Sequence, residues 1–255
     1  MLANLKSPKV YRPVFSCIYC GNRRDLSDEH IIAESLNGAM ILKAASCAEC
    51  RDITSRLERT CSRTIFGPFR LRHGFRTKRK HSRPMGIEIE IGNKKTQFIS
   101  ISGIPDVIFF LKFNHVANIL LDAPDIDTSR VTPWITHGKD QFIGEPGWVV
   151  GKFDAFAFAR MLVKIAHSFA VAELGINSFC PLALDFMFSR TNNLSRFVGG
   201  SANIEKPEQT LHSLRLQKYE SKISKRQFVV VSIRLFACLG APTYHVAIGE
   251  IPSMA

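Results

Sequence analysis

Apolar and polar positions fall into two textures along the 255 residues. Residues 1–15 carry no period and read as an irregular lead-in, and residues 16–60 are dense in Cys, His and carboxylate side chains. Residues 63–83 interleave Arg and Lys with Phe66, Phe69, Phe75, Gly67 and Gly74 before Pro84 closes the run. That stretch is too polar and too glycine-punctuated for a buried helix, so it reads as a loop or arm. From Met85 the pattern changes. Residues 86–92 alternate strictly, residues 92–95 form a turn signal and residues 97–102 alternate again, which together predict a β-hairpin. Residues 107–113 predict a third strand, and the Pro-, Asp- and Gly-rich residues 122–147 a loop. Phe158, Met161, Leu162, Ile165 and Phe169 recur at the helical period within residues 152–174, with Asp154 and Gly175 placed as caps. Two late strands are expected over residues 228–236 and 244–248, with a mixed stretch over 191–226. No internal repeat is present. The expected fold class is α+β: a small N-terminal module over residues 1–84 and a larger α+β domain of open role over residues 85–255.

Composition narrows the function. With 45% hydrophobic and 22% charged residues the chain is neither disordered nor a disulfide-dense mini-protein. The most apolar long stretch contains Asp154, Arg160, Lys164, His167 and Glu173, so no membrane span is expected. The start of the chain lacks an apolar run of signal-peptide length. The expectation is a cytoplasmic location, where thiols stay reduced. The net charge is +12. Residues 1–84 hold 17 basic and 7 acidic residues, giving +10, whereas residues 85–255 hold 17 and 15, giving +2. A polyanion partner fits such a bias. Arg70, Arg72, Arg76, Lys78, Arg79 and Lys80 are the candidate phosphate-gripping residues.

Four of the seven cysteines form two Cys-x2-Cys pairs, Cys17/Cys20 and Cys47/Cys50, separated by 26 residues. Four thiolates at about 2.3 Å close a tetrahedral Zn²⁺ shell, so this site is expected to be structural. Gly21 suits the tight turn of a zinc knuckle. Cys180 and Cys238 are expected in the core. His73, His81 and His115 are expected on the surface or in loops, and His167 is expected to be packed in its helix.

Between the pairs lies Asp28-Glu29-His30-Ile31-Ile32, followed by Leu36-Asn37-Gly38, and the second pair runs into a helical pattern. Over residues 16–60 this arrangement resembles the HNH endonucleases. The resemblance implies a zinc-stapled ββα-metal module that hydrolyses nucleic-acid phosphodiester bonds, DNA ahead of RNA. It implies His30 as general base and Glu29, or else Asp28, as a ligand to a catalytic divalent cation such as Mg²⁺ or Mn²⁺. The chemistry agrees: imidazole has its unperturbed pKa near neutrality, and a cation on carboxylates stabilises phosphorane charge. The sequence departs from the family pattern in three places. Arg51 stands where the family carries a metal ligand, Leu42 where it carries its middle Asn, and Ala33 where it often has Pro. Positions 51, 55 and 58 share one helical face, which makes Glu58 the second candidate ligand. Whether Asn37 orients His30 stays open. Two other readings stand beside the nuclease: a non-catalytic zinc module that binds nucleic acid, and a protein-interaction scaffold.

Overall fold

An apolar helix capped by an aspartate at its start and a glycine at its end organises the chain. In the computed structural model, which describes residues 8–76, 84–91, 95–113, 116–124, 132–138, 154–200 and 205–252, that helix spans Ala155–Leu174. The Asp154 carboxylate accepts from the Ala157 N–H at 2.8 Å, which satisfies one orphan donor of the first turn. Gly175 ends the helix at φ +98°, where a side chain would be strained. From Ala157 to Val171 every residue but Arg160 is buried, so the helix is covered all round. It is also the one described helix long and apolar enough to cross a membrane, and 78% of its most apolar window is buried against the rest of the chain.

Strands β1 (Lys9–Tyr11), β2 (Ser27–His30) and β3 (Met40–Ser46) make a small sheet in the order β1-β3-β2, with β1 parallel and β2 antiparallel to β3. Helix α1 (Ala48–Thr64) follows β3 directly and packs on the apolar helix, which is α3 of the chain. Helix α2 (Gly67–Arg72) comes next. Here the structure departs from the loop expected over residues 63–83. Pro68 sits at the start of α2 and Phe69 is buried, so a short amphipathic turn replaces an open arm. Residues 77–83 lie outside the described residues.

The expected hairpin forms as β4 (Gly86–Ile91) and β5 (Lys95–Ser100). Its turn residues 92–94 lie outside the described residues. The third predicted strand forms as β6 (Ile108–Lys112), and it pairs with β7 (Thr132–His137), which falls inside the expected loop. Pro133 lacks an N–H, yet β7 is tolerated because a two-stranded ribbon has only edges. Beyond α3 come β8 (Cys180–Pro181), helices α4 (Leu184–Met187) and α5 (Leu194–Phe197), and β9 (Val198–Gly200). The large antiparallel sheet runs β10-β11-β12-β8, built from β10 (His212–Glu220), β11 (Gln227–Leu235) and β12 (Tyr244–Ile251), with β9 also on β12. β11 and β12 pack on α3. The described elements therefore stack as small sheet with α1, then α3, then the large sheet, an α+β arrangement. One apolar cluster runs through it from Cys17 to Ile248, joining residues on both sides of position 84. Phe66 and Phe69 touch Phe236, and Phe66 also touches Phe110 and Phe158.

Both core-cysteine expectations are overturned: Cys180 is exposed on β8 and Cys238 is half-buried, so neither is a core thiol, whereas Cys61 is buried. β8 is a two-residue edge strand, and its burial pattern leaves Cys180 to solvent.

Candidate functional site

The two cysteine pairs come together. Gly21, at φ +77°, turns the chain after the first pair, with its N–H on the Cys17 carbonyl at 2.9 Å and the Cys17 N–H on the Asn22 carbonyl at 2.7 Å. Cys47 is the N-cap residue of α1, so the second pair straddles the helix N-terminus. All four sulfurs lie within 4.8 Å of one another and could hold a structural metal ion such as zinc. Three of these thiols are buried and Cys20 is exposed. Burial raises the Cys20 and Cys50 thiols, whereas the Cys50 N–H and the neighbouring sulfurs leave the Cys47 thiol below its ordinary value.

This knot lies before the start of β2 and after the end of β3 and holds those two ends together. The strands are not in simple register: Ser27 faces Ser46 and Glu29 faces Leu42, with a bulge between. Ala44 takes a left-handed φ of +46° in that bulge. Asp28 holds it, accepting from the Ala44 N–H at 3.2 Å and from Lys43 Nζ at 2.6 Å. The Lys43 hydrogen bond keeps the Asp28 carboxyl below its ordinary pKa. Asp28 thus belongs to the hairpin.

Strand alternation then sends Glu29 inward and His30 outward. Glu29 is 4% exposed. It does not meet a vacant space. Lys164, 1% exposed in the middle of α3, places its Nζ 2.6 Å from Glu29 Oε1 and 2.7 Å from Glu58 Oε1. The same ammonium donates to the His30 and Ile31 carbonyls. Glu58 comes from the face of α1 that the heptad-like spacing of positions 51, 55 and 58 indicates. Its Oε1 is buried and has the ammonium as its ion-pair partner, without a directed hydrogen bond among the described residues. Burial raises Glu58 above the ordinary carboxylate range, and the Glu29 charge adds to this, against the opposing pull of Lys164. Burial alone would lower Lys164, but Glu29 and then Glu58 hold its ammonium above the ordinary lysine value. The structure therefore brings Glu29, Glu58 and the His30 backbone to one centre, as the sequence suggests, and adds Lys164, which the sequence reading overlooks.

A second metal centre does not fit these residues. Hard divalent cations take about six oxygen ligands and retain several waters. The point between Glu29 and Glu58 instead holds the Lys164 ammonium, whose side chain is 1% exposed, against Glu29 at 5% and Glu58 at 20%. The His30 imidazole itself is half-buried and has no hydrogen-bond partner among the described residues. Asn37 does not orient it: the Asn37 side-chain oxygen accepts from the Arg76 N–H at 3.3 Å.

The basic residues expected to grip phosphate have several fates. Arg70 donates to the carbonyls of Ser35, Ser62 (2.9 Å) and Arg76 (3.2 Å), and so ties α2 to the turn before β3 and to the end of α1. Arg72 donates to the carbonyls of Ser102 and Ile104 at 2.8 and 2.7 Å. Arg76 lies 3.7 Å from Glu34 and is exposed. Lys78, Arg79 and Lys80 lie outside the described residues, as do His81 and His115. His73 lies in the turn after α2, in keeping with a loop position, and makes tertiary contacts there, 2.6 Å from Asp106 and tilted against Phe69. His167 is packed, as expected, with Nε2 at 2.7 Å from the Ile18 carbonyl.

Compared with models of known protein families, with curated proteins and with solved structures, the chain matches none.

Proposed function

We propose that the chain is a nucleic-acid phosphodiesterase of the HNH kind, DNA ahead of RNA, with His30 as general base on a hairpin and helix stapled by one Zn²⁺ on Cys17, Cys20, Cys47 and Cys50. The observation that supports this reading is the situation of His30. It is an imidazole without a hydrogen-bond partner among the described residues, next in sequence to the buried Glu29, on a strand bracketed by the cysteine knot. In the reaction, a water oxygen bonds to phosphorus as its proton passes to the His30 ring nitrogen. The opposite P–O bond breaks, and the departing alkoxide takes a proton from solvent. The products are a phosphomonoester and an alcohol. The bound Zn²⁺ supplies rigidity alone, since four thiolates leave it no open position.

A second reading, the non-catalytic nucleic-acid-binding module, draws on Arg51. This guanidinium is exposed on α1, without an ion-pair partner among the described residues, at the position where a metal ligand is expected. Both readings use the basic bias of residues 1–84.

Cleavage of plasmid DNA and of single-stranded DNA and RNA tests the proposal. His30→Ala is expected to slow the chemical step by about 10²–10⁴-fold, the scale of a general base, with binding nearly unchanged. Equal rates for wild type and variant in repurified protein would remove His30 from the chemistry. Absence of cleavage on all substrates, with binding retained, would transfer the assignment to the binding module.

A further inference from the structure

The polar heart of the molecule contains a cation of its own. We infer that the Lys164 ammonium is the resident cation of the Glu29–Glu58 centre, that it excludes a divalent metal from it, and that hydrolysis at His30 proceeds without one. The part concerning hydrolysis rests on the reading of His30 as a general base.

Three observations converge. First, the ammonium lies 2.6 and 2.7 Å from the two carboxylates, at the point where a metal bridging them would have to sit. Second, Lys164 is 1% exposed and comes from the middle of a twenty-residue helix whose neighbouring side chains are buried, so it cannot swing aside to admit a metal. A buried ammonium is tolerated only with charge partners and directed acceptors, and here it has two carboxylates and the His30 and Ile31 carbonyls. Third, Arg51 puts a second permanent positive charge, exposed, on the α1 face that carries Glu58, and a guanidinium cannot ligate a metal. Two positions where a metal and its ligand are expected thus hold cationic side chains.

Lys164 also acts on the base. By donating to the His30 carbonyl it fixes the peptide that carries the imidazole, from a helix on the far side of the hairpin. It is a positioning residue: its ammonium, shut in the core, does not reach a substrate.

Mn²⁺ titration of the zinc-loaded protein, followed by electron paramagnetic resonance, tests the exclusion without reference to activity. Wild type is expected to bind no Mn²⁺ that Glu58→Gln removes. Lys164→Ala is expected to gain a bound Mn²⁺ that Glu29→Gln in the same background abolishes. Wild-type Mn²⁺ binding lost in Glu58→Gln would overturn the inference, and this arm decides it even where Lys164→Ala fails to fold. Cleavage assays divide the remaining outcomes. Activity undiminished when Mg²⁺ and Mn²⁺ are withheld supports a metal-independent centre, and activity that appears only with added Mg²⁺ or Mn²⁺ contradicts it. If no substrate is cut under any condition, the hydrolase reading fails, and the Mn²⁺ titration still decides what occupies the centre.

Discussion

Lys164 and His167 stand three residues apart on α3, both 1% exposed, and the fold treats their charges in opposite ways. Lys164 meets two carboxylates and keeps its proton. His167 meets the Ile18 carbonyl and aromatic rings of Tyr19 and Phe179, and burial pushes its pKa down to about 4. Its Nδ1 is buried without a hydrogen-bond partner among the described residues, so the neutral ring donates through Nε2. His212 is also lowered to about 4 by burial, with its Nε2 on the Leu36 carbonyl. The sign follows directly. Below the unfolded pKa of about 6.5 the unfolded chain binds protons that the folded chain refuses, so stability is present above that pH and falls towards pH 4. Each proton gives a slope of up to about 1.4 kcal/mol per pH unit. Urea denaturation at pH 7, 6 and 5 should show this slope, and His167→Gln, which keeps a donor for Ile18, should reduce it by about one proton's worth. An unchanged slope would show that His167 is protonated in the fold. The packing of His167 was legible from the helical period. Lys164 was legible only in part. A lysine within an apolar stripe announces a buried partner, but the partners lie on β2 and α1, far along the chain, and no periodicity within α3 points to them.

Elements show why some of the fold could be read and some could not. The hairpin of β4 and β5, and α3 with Asp154 and Gly175, follow from local patterning and capping chemistry, which act within a few residues. β10 and β7 were hidden because they take their identity from partners. β10 pairs along its length with β11, from His212 opposite Leu235 to Glu220 opposite Gln227, while the alternation that Leu214, Arg215, Leu216 and Gln217 begin is broken at Lys218 on an edge strand. α2 was hidden because Arg70 and Arg72 look like surface charge until their carbonyl acceptors are known. The hairpin of β2 and β3 with α1 is the case where spacing fixes tertiary structure, because the two Cys-x2-Cys pairs can close only one way. Cys47 stands at the N-cap position of α1 and is a candidate ligand. Cys47→Ser puts a favoured N-cap residue at that position and removes a thiolate. Because binding energy of a structural metal is folding energy, the variant should lose bound zinc by elemental analysis and unfold at lower temperature. Serine protein with full zinc content and unchanged thermal stability would mean that the knot is closed by something other than metal.

At the scale of the whole molecule, charge and core follow different boundaries. The charge excess ends near residue 84, as residues 1–84 carry +10 and the rest +2. The apolar cluster does not end there. Phe66 and Phe69, from the basic third, pack against Phe236 from the turn after β11, and Phe66 also meets Phe158 of α3. Polar ties cross the same line: Lys164 to Glu29 and Glu58, Glu173 to Lys9 at 2.9 Å, and His212 to the Leu36 carbonyl at 2.7 Å. Removing residues 85–255 would therefore leave two carboxylates around an empty centre and expose aromatic rings that are 0% and 1% accessible in the intact chain. Losing one partner of a buried ion pair costs about 3–5 kcal/mol, and exposing each large aromatic side chain costs about 1.5–3 kcal/mol more. Against a domain stability of about 5–15 kcal/mol, those losses are not survivable for a fragment of this size. A fragment of residues 8–84, supplied with zinc, should bind the metal at its four thiols yet show a collapsed NMR spectrum and no cooperative thermal transition. The full chain should melt as one unit, with the fluorescence and circular-dichroism transitions coincident. A fragment that folds cooperatively with dispersed amide resonances would show that the cysteine knot alone suffices for the N-terminal third, and that Lys164 completes a centre already formed without it.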